Sequence, residues 1–461
     1  VGYRQDDSSA GAAFVYSSQR RSLSAADLGT LPTYAQPTNV YRARLGAGVM
    51  ALVPTAVFTD DHGTVPHVEP EAGGVDPGLR FGVDHRGARL ATVMLAWNIL
   101  QHFYPYFDVV DTDWSTELEH ALRKAATDAG EAEFYRTLNR LIAALQDGHG
   151  TLSGPGMPVG GPLPIRVELI EERLVVVAVA TNVTTVRPGD VVESIEGVPA
   201  RAAYDELAGQ VSAATPQRRK QVAYRFGWGP PGSEVKLQVR GPNATVREVT
   251  LARVDPPSTL SFPRPPKVHE IRPGVVYVDI TRLTDTEFKE SLPSLAQAKG
   301  LVFDLRGYPT GSASWLGHLS REPLQCAHWN IAKQHRPDRS DVEWTTSRWS
   351  IPPAEPLFTT NRVFLTDGSA ISYAETVMGI IEAYGLGEII GEPTAGTNGN
   401  VVQNDLPLGY RMLWTGMKVL KHDGSRHHGV GIRPTVPVAP TLEGIRQGRD
   451  EPLERALERL R

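Results

Sequence analysis

Cysteine is nearly absent: Cys326 is the single one in 461 residues. That excludes an intrachain disulfide and any CxxC zinc or redox pair. Long apolar runs are missing too. Stretches such as Val175–Ala180 fall far short of the roughly 18 residues a membrane helix requires. There is no dense basic run. Lys and Arg total 47 against 52 Asp and Glu, a net charge of -5, so no nucleic-acid partner is expected. The 44 glycines and 36 prolines follow no fixed period, which excludes a collagen-like chain. The N-terminus has no charged segment leading into an apolar one, so no signal peptide is visible. Compartment stays open between a bacterial cytoplasm and the cell envelope or secretion. What is present, 41% hydrophobic and 21% charged residues, suits a core-forming chain of about three domains.

Four regions follow from the patterning. Residues 1–75 read as β-rich, with Val49–Phe58 apolar and β-branched up to the turn Asp60-Asp61-His62-Gly63. Glu69–Pro77 reads as a linker. Residues 85–155 turn helical, with Leu90, Val93, Met94 and Trp97, then Leu118, Leu122, Phe134, Leu138, Leu141 and Leu145, at three- and four-residue steps. The helix is expected to stop at Asp147-Gly148-His149-Gly150. Residues 160–255 return to short strands around one helix near Ala202–Val211, and the Pro-rich stretch from Asp255 to Pro266 reads as a second linker. From 265 to 461 strands alternate with helices. Val275–Ile280, Leu301–Leu305 and Arg362–Leu365 are continuous apolar strands of the kind buried on both faces. This is an α/β layer with mainly parallel strands.

Chemistry is most readily placed at Phe364–Glu375. A strand, a glycine turn and a helix beginning near Ser372 would set a serine at a corner beside free helical amides, where an acyl-transfer nucleophile finds an oxyanion donor. The Tyr373 amide could be that donor. Ser372-x-x-Glu375 is equally a capping box, Ser372 as N-cap and Glu375 as N3. A nucleophilic serine needs a base. His149, between two glycines, is sterically open, although a solvated loop histidine fits the same turn. His422, His427 and His428 lack supporting ligand spacing, and Glu117 with His120 is half of a di-iron pattern without its other half, so no metal and no cofactor are expected. The loop Gly391–Asn400 lacks a P-loop lysine and reads as a turn lining a cleft.

Taken in order, these pieces resemble the C-terminal processing peptidases and tricorn-like serine peptidases of family S41. The resemblance runs from about Leu90 to Leu460. It rests on Trp97-Asn98, His102-Phe103-Tyr104-Pro105-Tyr106-Phe107-Asp108, Asp147-Gly148-His149, Arg187-Pro188-Gly189-Asp190, Phe303-Asp304-Leu305-Arg306-Gly307, Gly368–Glu375, Gly391-Glu392-Pro393-Thr394 and Gly429–Pro434. It implies a ClpP/crotonase-like core, a PDZ-like domain over 160–255, a helical segment carrying the base, and a β-rich N-terminal region outside the family core. It implies a serine peptidase acting on unstructured peptides or protein tails, as an endopeptidase or a carboxyl-terminal processing enzyme. Ser372 would be the nucleophile, His149 the base, and Tyr373 and Gly311 the oxyanion donors. The partner is a peptide or protein substrate, and oligomerisation is left open.

Three departures bear on mechanism. The lysine of the processing-peptidase branch is replaced by Thr397, which disfavours a Ser-Lys dyad and favours Ser-His chemistry. The serine that precedes the histidine in the tricorn-like branch is Gly148. The branch's glutamate is His428, which cannot supply a fixed negative charge, so Asp423 and Glu392 join His428 as candidates for the third member. Two other functions stay open: a non-catalytic S41-like protein binding peptides or apolar ligands, and a biosynthetic enzyme transferring a peptide acyl group.

Overall fold

A computed structural model describes residues 81–460 except 256–259, 261 and 335–341, and before them residues 2–4, 15–17, 24, 26, 36, 38–46, 48–54 and 56–67. The linker expected at Glu69–Pro77 lies outside these residues, as does part of the one at 255–266. In the N-terminal region the expected run Val49–Phe58 is divided. Val49–Pro54 pairs with Val40–Gly46, and Phe58–Asp60 starts a separate hairpin with Gly63–Val65. Pro54 has no N–H to carry the ladder onward.

The helical unit comprises α1 (Arg86–Phe103), α2 (Trp114–Ala125) and α3 (Glu131–Ala143). Asp113 caps α2 through the Thr116 amide. Leu100, Phe134, Leu138, Leu141 and Leu145 bury one shared face. Helix α3 ends at Ala143, four residues before the expected stop, and Gln146 turns the chain with a φ of 52°. The glycines at 148 and 150 serve close approaches instead: a Cβ on Gly150 would lie 2.7 Å from Ser212 Oγ. The aromatic motif that follows α1 anchors the turn. Tyr104 Oη donates to Leu145 O at 2.9 Å, and Tyr106 Oη donates to Met417 O at 3.1 Å while accepting from the Val419 amide.

Residues 165–252 form an antiparallel sheet in the order 246–252, 234–240, 191–195, 173–179, 165–170. The strands match their sequence expectations to within a residue or two. Helix α4 (Ala200–Gly209) closes one face over Val167, Leu174, Val192 and Leu237. On the other face Val175, Val177 and Val191 pack against Leu442 and Ile445 from near the C-terminus.

The core sheet runs 268–272, 275–279, 300–304, 361–366, 388–391, 436–437, antiparallel in its first pair and parallel thereafter. Its continuous apolar strands bury both faces, as such runs must. Val276, Val278, Leu301, Phe303, Phe364 and Ile389 pack with α5 (Asp285–Gln297) and α6 (Tyr373–Ala383). Val275, Tyr277, Val302, Val363, Leu365 and Ile390 pack with α7 (Glu451–Arg459). The Asp304-Leu305-Arg306 motif closes the strand edge. Arg306 donates to Asp304 Oδ2 at 2.6 Å and to Asp450 at 2.7 Å. A third sheet joins the units: strand Arg411–Thr415 pairs with Val401–Asp405 on one side and with Thr151–Ser153 on the other, Leu413 opposite Thr151. That register carries Thr415 to the turn holding His149. No helix among the described residues is long and apolar enough to cross a membrane.

Candidate active site

Ser372 stands between the end of strand Asn361–Thr366 and the first residue of α6. Its φ of 60° and ψ of -118° are strained for a residue with a Cβ. A strand-to-helix corner that drives a serine into this region lifts the side chain off the helix. The capping-box reading fails here. The Ser372 hydroxyl makes no cap bond to the helix amides. Glu375, fully buried, turns the other way and accepts from Thr394 Oγ1 at 2.5 Å, Gly396 N at 2.7 Å and Thr397 N at 2.7 Å, with His427 Nε2 at 3.3 Å. The carboxylate holds the 394–397 loop, not the helix start, and the Ser372 hydroxyl is not spent on a cap.

Thr397 is where the two halves of the site meet. Its carbonyl accepts the Ser372 amide at 2.8 Å, and its hydroxyl accepts the Gly148 amide at 3.0 Å. A Cβ at residue 148 would sit 2.7 Å from Thr397 Oγ1 and 3.0 Å from Ile371 Cδ1. Glycine at 148 and threonine at 397 therefore belong together. Among the described residues no direct hydrogen bond joins the Ser372 hydroxyl to the His149 ring; their backbones are held side by side through Thr397.

The His149 ring is oriented by a pair the sequence reading missed. Thr415 Oγ1 lies 2.6 Å from Asp147 Oδ1 and 2.9 Å from His149 Nδ1. The threonine hydroxyl donates its one hydrogen to Asp147, so toward the ring it can only accept, from Nδ1–H. This sets the tautomer with Nε2 unprotonated and basic. Asp147 is fully buried and also accepts the His149 amide at 3.0 Å and the Thr415 amide at 2.6 Å. Desolvation lowers the His149 pKa below 6.5, against the opposing pull of Asp147 and Glu375, with Arg218 pushing it further down. The ring is neutral at pH 7, the state a base requires. Asp147 sits two residues before the histidine in the sequence, but its link runs through a strand 266 positions away, so spacing carried no signal of Thr415.

None of the three residues expected to steady the base reaches it. His428, 1% exposed, stacks on Tyr106 with centroids 3.9 Å apart and directs Nε2 to Gln146 O at 3.0 Å. Burial pushes its pKa down to about 4, so the ring is a neutral prop beneath the Gln146–Asp147 turn. Asp423 caps an exposed turn through the Ser425 amide. Glu392 lines a separate cavity with Arg264, Asp367 and Arg449.

The Tyr373 amide opens α6 beside Ser372. Its phenol packs on the second expected donor, with Oη 3.4 Å from Gly311 O. The Gly311 loop is held by Thr310 Oγ1 donating to Leu283 O and by the Ser312 amide donating to Asp285 Oδ1. Strands 300–304 and 361–366 are parallel neighbours, Asp304 opposite Leu365, so this loop and the Ser372 corner leave the sheet at the same edge. No group of described residues gathers three metal-ligating side chains.

Residues 274–438 match the model of peptidase family S41. No curated protein matches the chain. Two solved structures of mature CPAF share its fold. The one complexed with lactacystin is 15% identical, covers 81% of this chain and 98% of its own, and has a TM-score of 0.66. The other is 17% identical, covers 81% and 96%, and has a TM-score of 0.65.

Proposed function

We propose that this chain, whose residues 274–438 match the model of peptidase family S41, is a serine peptidase that works by Ser-His chemistry on unstructured peptides or protein tails. In this reading His149 Nε2 takes the Ser372 proton as the hydroxyl oxygen attacks the scissile carbonyl carbon. The carbonyl π electrons move onto oxygen, where the Tyr373 and Gly311 amides receive the charge. The imidazolium then protonates the leaving amine as the C–N bond breaks. Water, deprotonated by the same ring, releases the acyl group. Asp147 and Thr415 keep the tautomer and steady the imidazolium without taking part in bond making.

The observation that carries this reading is the bond chain Asp147–Thr415–His149, which engages Nδ1 and so supports a His149 ring whose Nε2 is unprotonated. A base and nucleophile brought beside each other but not yet bonded is a geometry that tightens when substrate fills the site. We read residues 265–461 as the ClpP/crotonase-like core and the 160–255 sheet as PDZ-like, taking an extended peptide by strand addition. The test is labelling by a fluorophosphonate probe together with digestion of an unfolded protein. Probe adduct on Ser372, and product peptides whose summed mass exceeds the parent by one water per bond cut, support the reading. Folded protein that neither labels nor cleaves refutes it.

A further inference from the structure

A cavity of about 190 Å³ opens beside Gly311. Its floor is Ile280, Leu283, Phe288 and Trp315, each at most 7% exposed, and its mouth carries Asp285 and Ser314. The cavity follows from the fold. Its lining comes from the start of α5, from the short helix Ala313–Leu319 and from Gly311 and Ser312 just before that helix. Trp315, stacked on Phe303 at 5.0 Å, keeps a buried indole N–H without a partner among the described residues.

Resting on the peptidase reading above, we propose that this cavity is the specificity pocket for the residue on the acyl side of the scissile bond, and that the substrates are peptides with a large apolar residue there, aromatic before aliphatic. The side is set by the chemistry. The scissile carbonyl must lie at the Gly311 and Tyr373 amides, and the side chain one bond from that carbonyl belongs to the acyl residue. The leaving amine must face His149, which is not among the residues lining the cavity. The size is set by volume: an apolar hole of about 150 Å³ already holds a benzene ring. Charge is set by depth. Asp285 and Lys289 belong to the lining beside the apolar residues, and a carboxylate or ammonium carried past them onto Ile280, Leu283, Phe288 and Trp315 would lose its water.

The experiment is a set of quenched peptides varied only at that position, with product masses locating the cut. Wild-type protein is expected to cleave after Phe at least about tenfold faster in kcat/KM than after Ala, and hardly at all after Asp or Lys. Ser314→Trp, which puts an indole across the mouth, is expected to bring the Phe-to-Ala ratio to about one while cleavage after Ala persists. Phe288→Leu, which deepens the floor, is expected to move the preference toward Trp. Binding of the same peptides to Ser372→Ala protein gives a readout that needs no turnover, and Phe is again expected to exceed Ala, with Ser314→Trp removing the difference. Cleavage without an acyl-side preference, or a Ser314→Trp effect equal for Phe and Ala, overturns the pocket but leaves a peptidase. If no peptide is cleaved the peptidase reading fails; Phe-selective binding lost in Ser314→Trp then still assigns the cavity to an apolar side chain, and equal binding overturns that as well.

Discussion

Asp147 reaches the His149 ring through a single hydroxyl, that of Thr415, 2.6 Å from the carboxylate and 2.9 Å from Nδ1. A direct carboxylate–imidazole contact would put the charge against the ring. The inserted hydroxyl passes on orientation and tautomer with less charge, and desolvation is then free to hold the ring neutral. Thr415→Val keeps the shape and removes the relay. We expect kcat to fall by about 10²-fold with KM little changed, and Thr415→Ser to restore most of it. Steady-state kinetics on both variants decide; equal activity in Thr415→Val would remove the relay from the mechanism.

Ser372→Ala separates a nucleophile from a helix cap. The hydroxyl makes no cap bond, so peptide cleavage should vanish while thermal stability stays within about 0.5 kcal/mol. A capping serine would lose about 1 kcal/mol. Ser372→Gly should instead gain about 1 kcal/mol, because glycine relieves a φ of 60°. Thermal unfolding of the two variants checks both signs.

Glu375 presents the complementary case. As the N3 residue of a capping box its replacement by Gln would be mild. As the buried acceptor of three bonds from the 394–397 loop, Glu375→Gln should cost about 3 kcal/mol and disturb Thr397. Denaturant midpoints with unchanged m-values give the measurement, and a loss under 1 kcal/mol would contradict the arrangement.

Gly148→Ser places a Cβ within 2.7 Å of Thr397 Oγ1. We expect the single variant to lose most activity and about 2 kcal/mol of stability. Adding Thr397→Ala makes room, so the double variant should recover stability beyond the additive value. A double-mutant cycle with no coupling would show that the two positions are independent.

With the His149 pKa lowered below 6.5 by desolvation, the ring is unprotonated above that value, and if it is the proposed base the acid limb of kcat/KM should have its midpoint below pH 6.5. Stability has the same sign. His428 falls from 6.5 unfolded to about 4 folded, so below pH 6.5 the unfolded chain binds the extra proton. The stabilisation is complete above pH 6.5 and is lost as pH falls toward 4, by about 2 kcal/mol between pH 7.5 and pH 5. His428→Phe, which keeps a ring on Tyr106, should flatten this slope in urea titrations at the two pH values.

The linear order of residues was enough to locate the elements. Burial on both faces leaves a continuous apolar run, so Val275–Asp279, Gly300–Asp304 and Asn361–Thr366 were legible to within a residue or so, as was helix α6 after the glycine turn. It also singled out Ser372 and His149 by their turns. It could not decide between a cap and a free hydroxyl, because Ser-x-x-Glu satisfies both readings. Only the approach of the 394–397 loop, whose amides outcompete the helix start for Glu375, settled where the carboxylate points. The hydrogen-bond partner of the His149 ring was equally out of reach. Thr415 is brought to His149 by pairing strand 411–415 with strand 151–153, and the neighbours of a strand are chosen by long-range packing, which leaves no trace in local spacing.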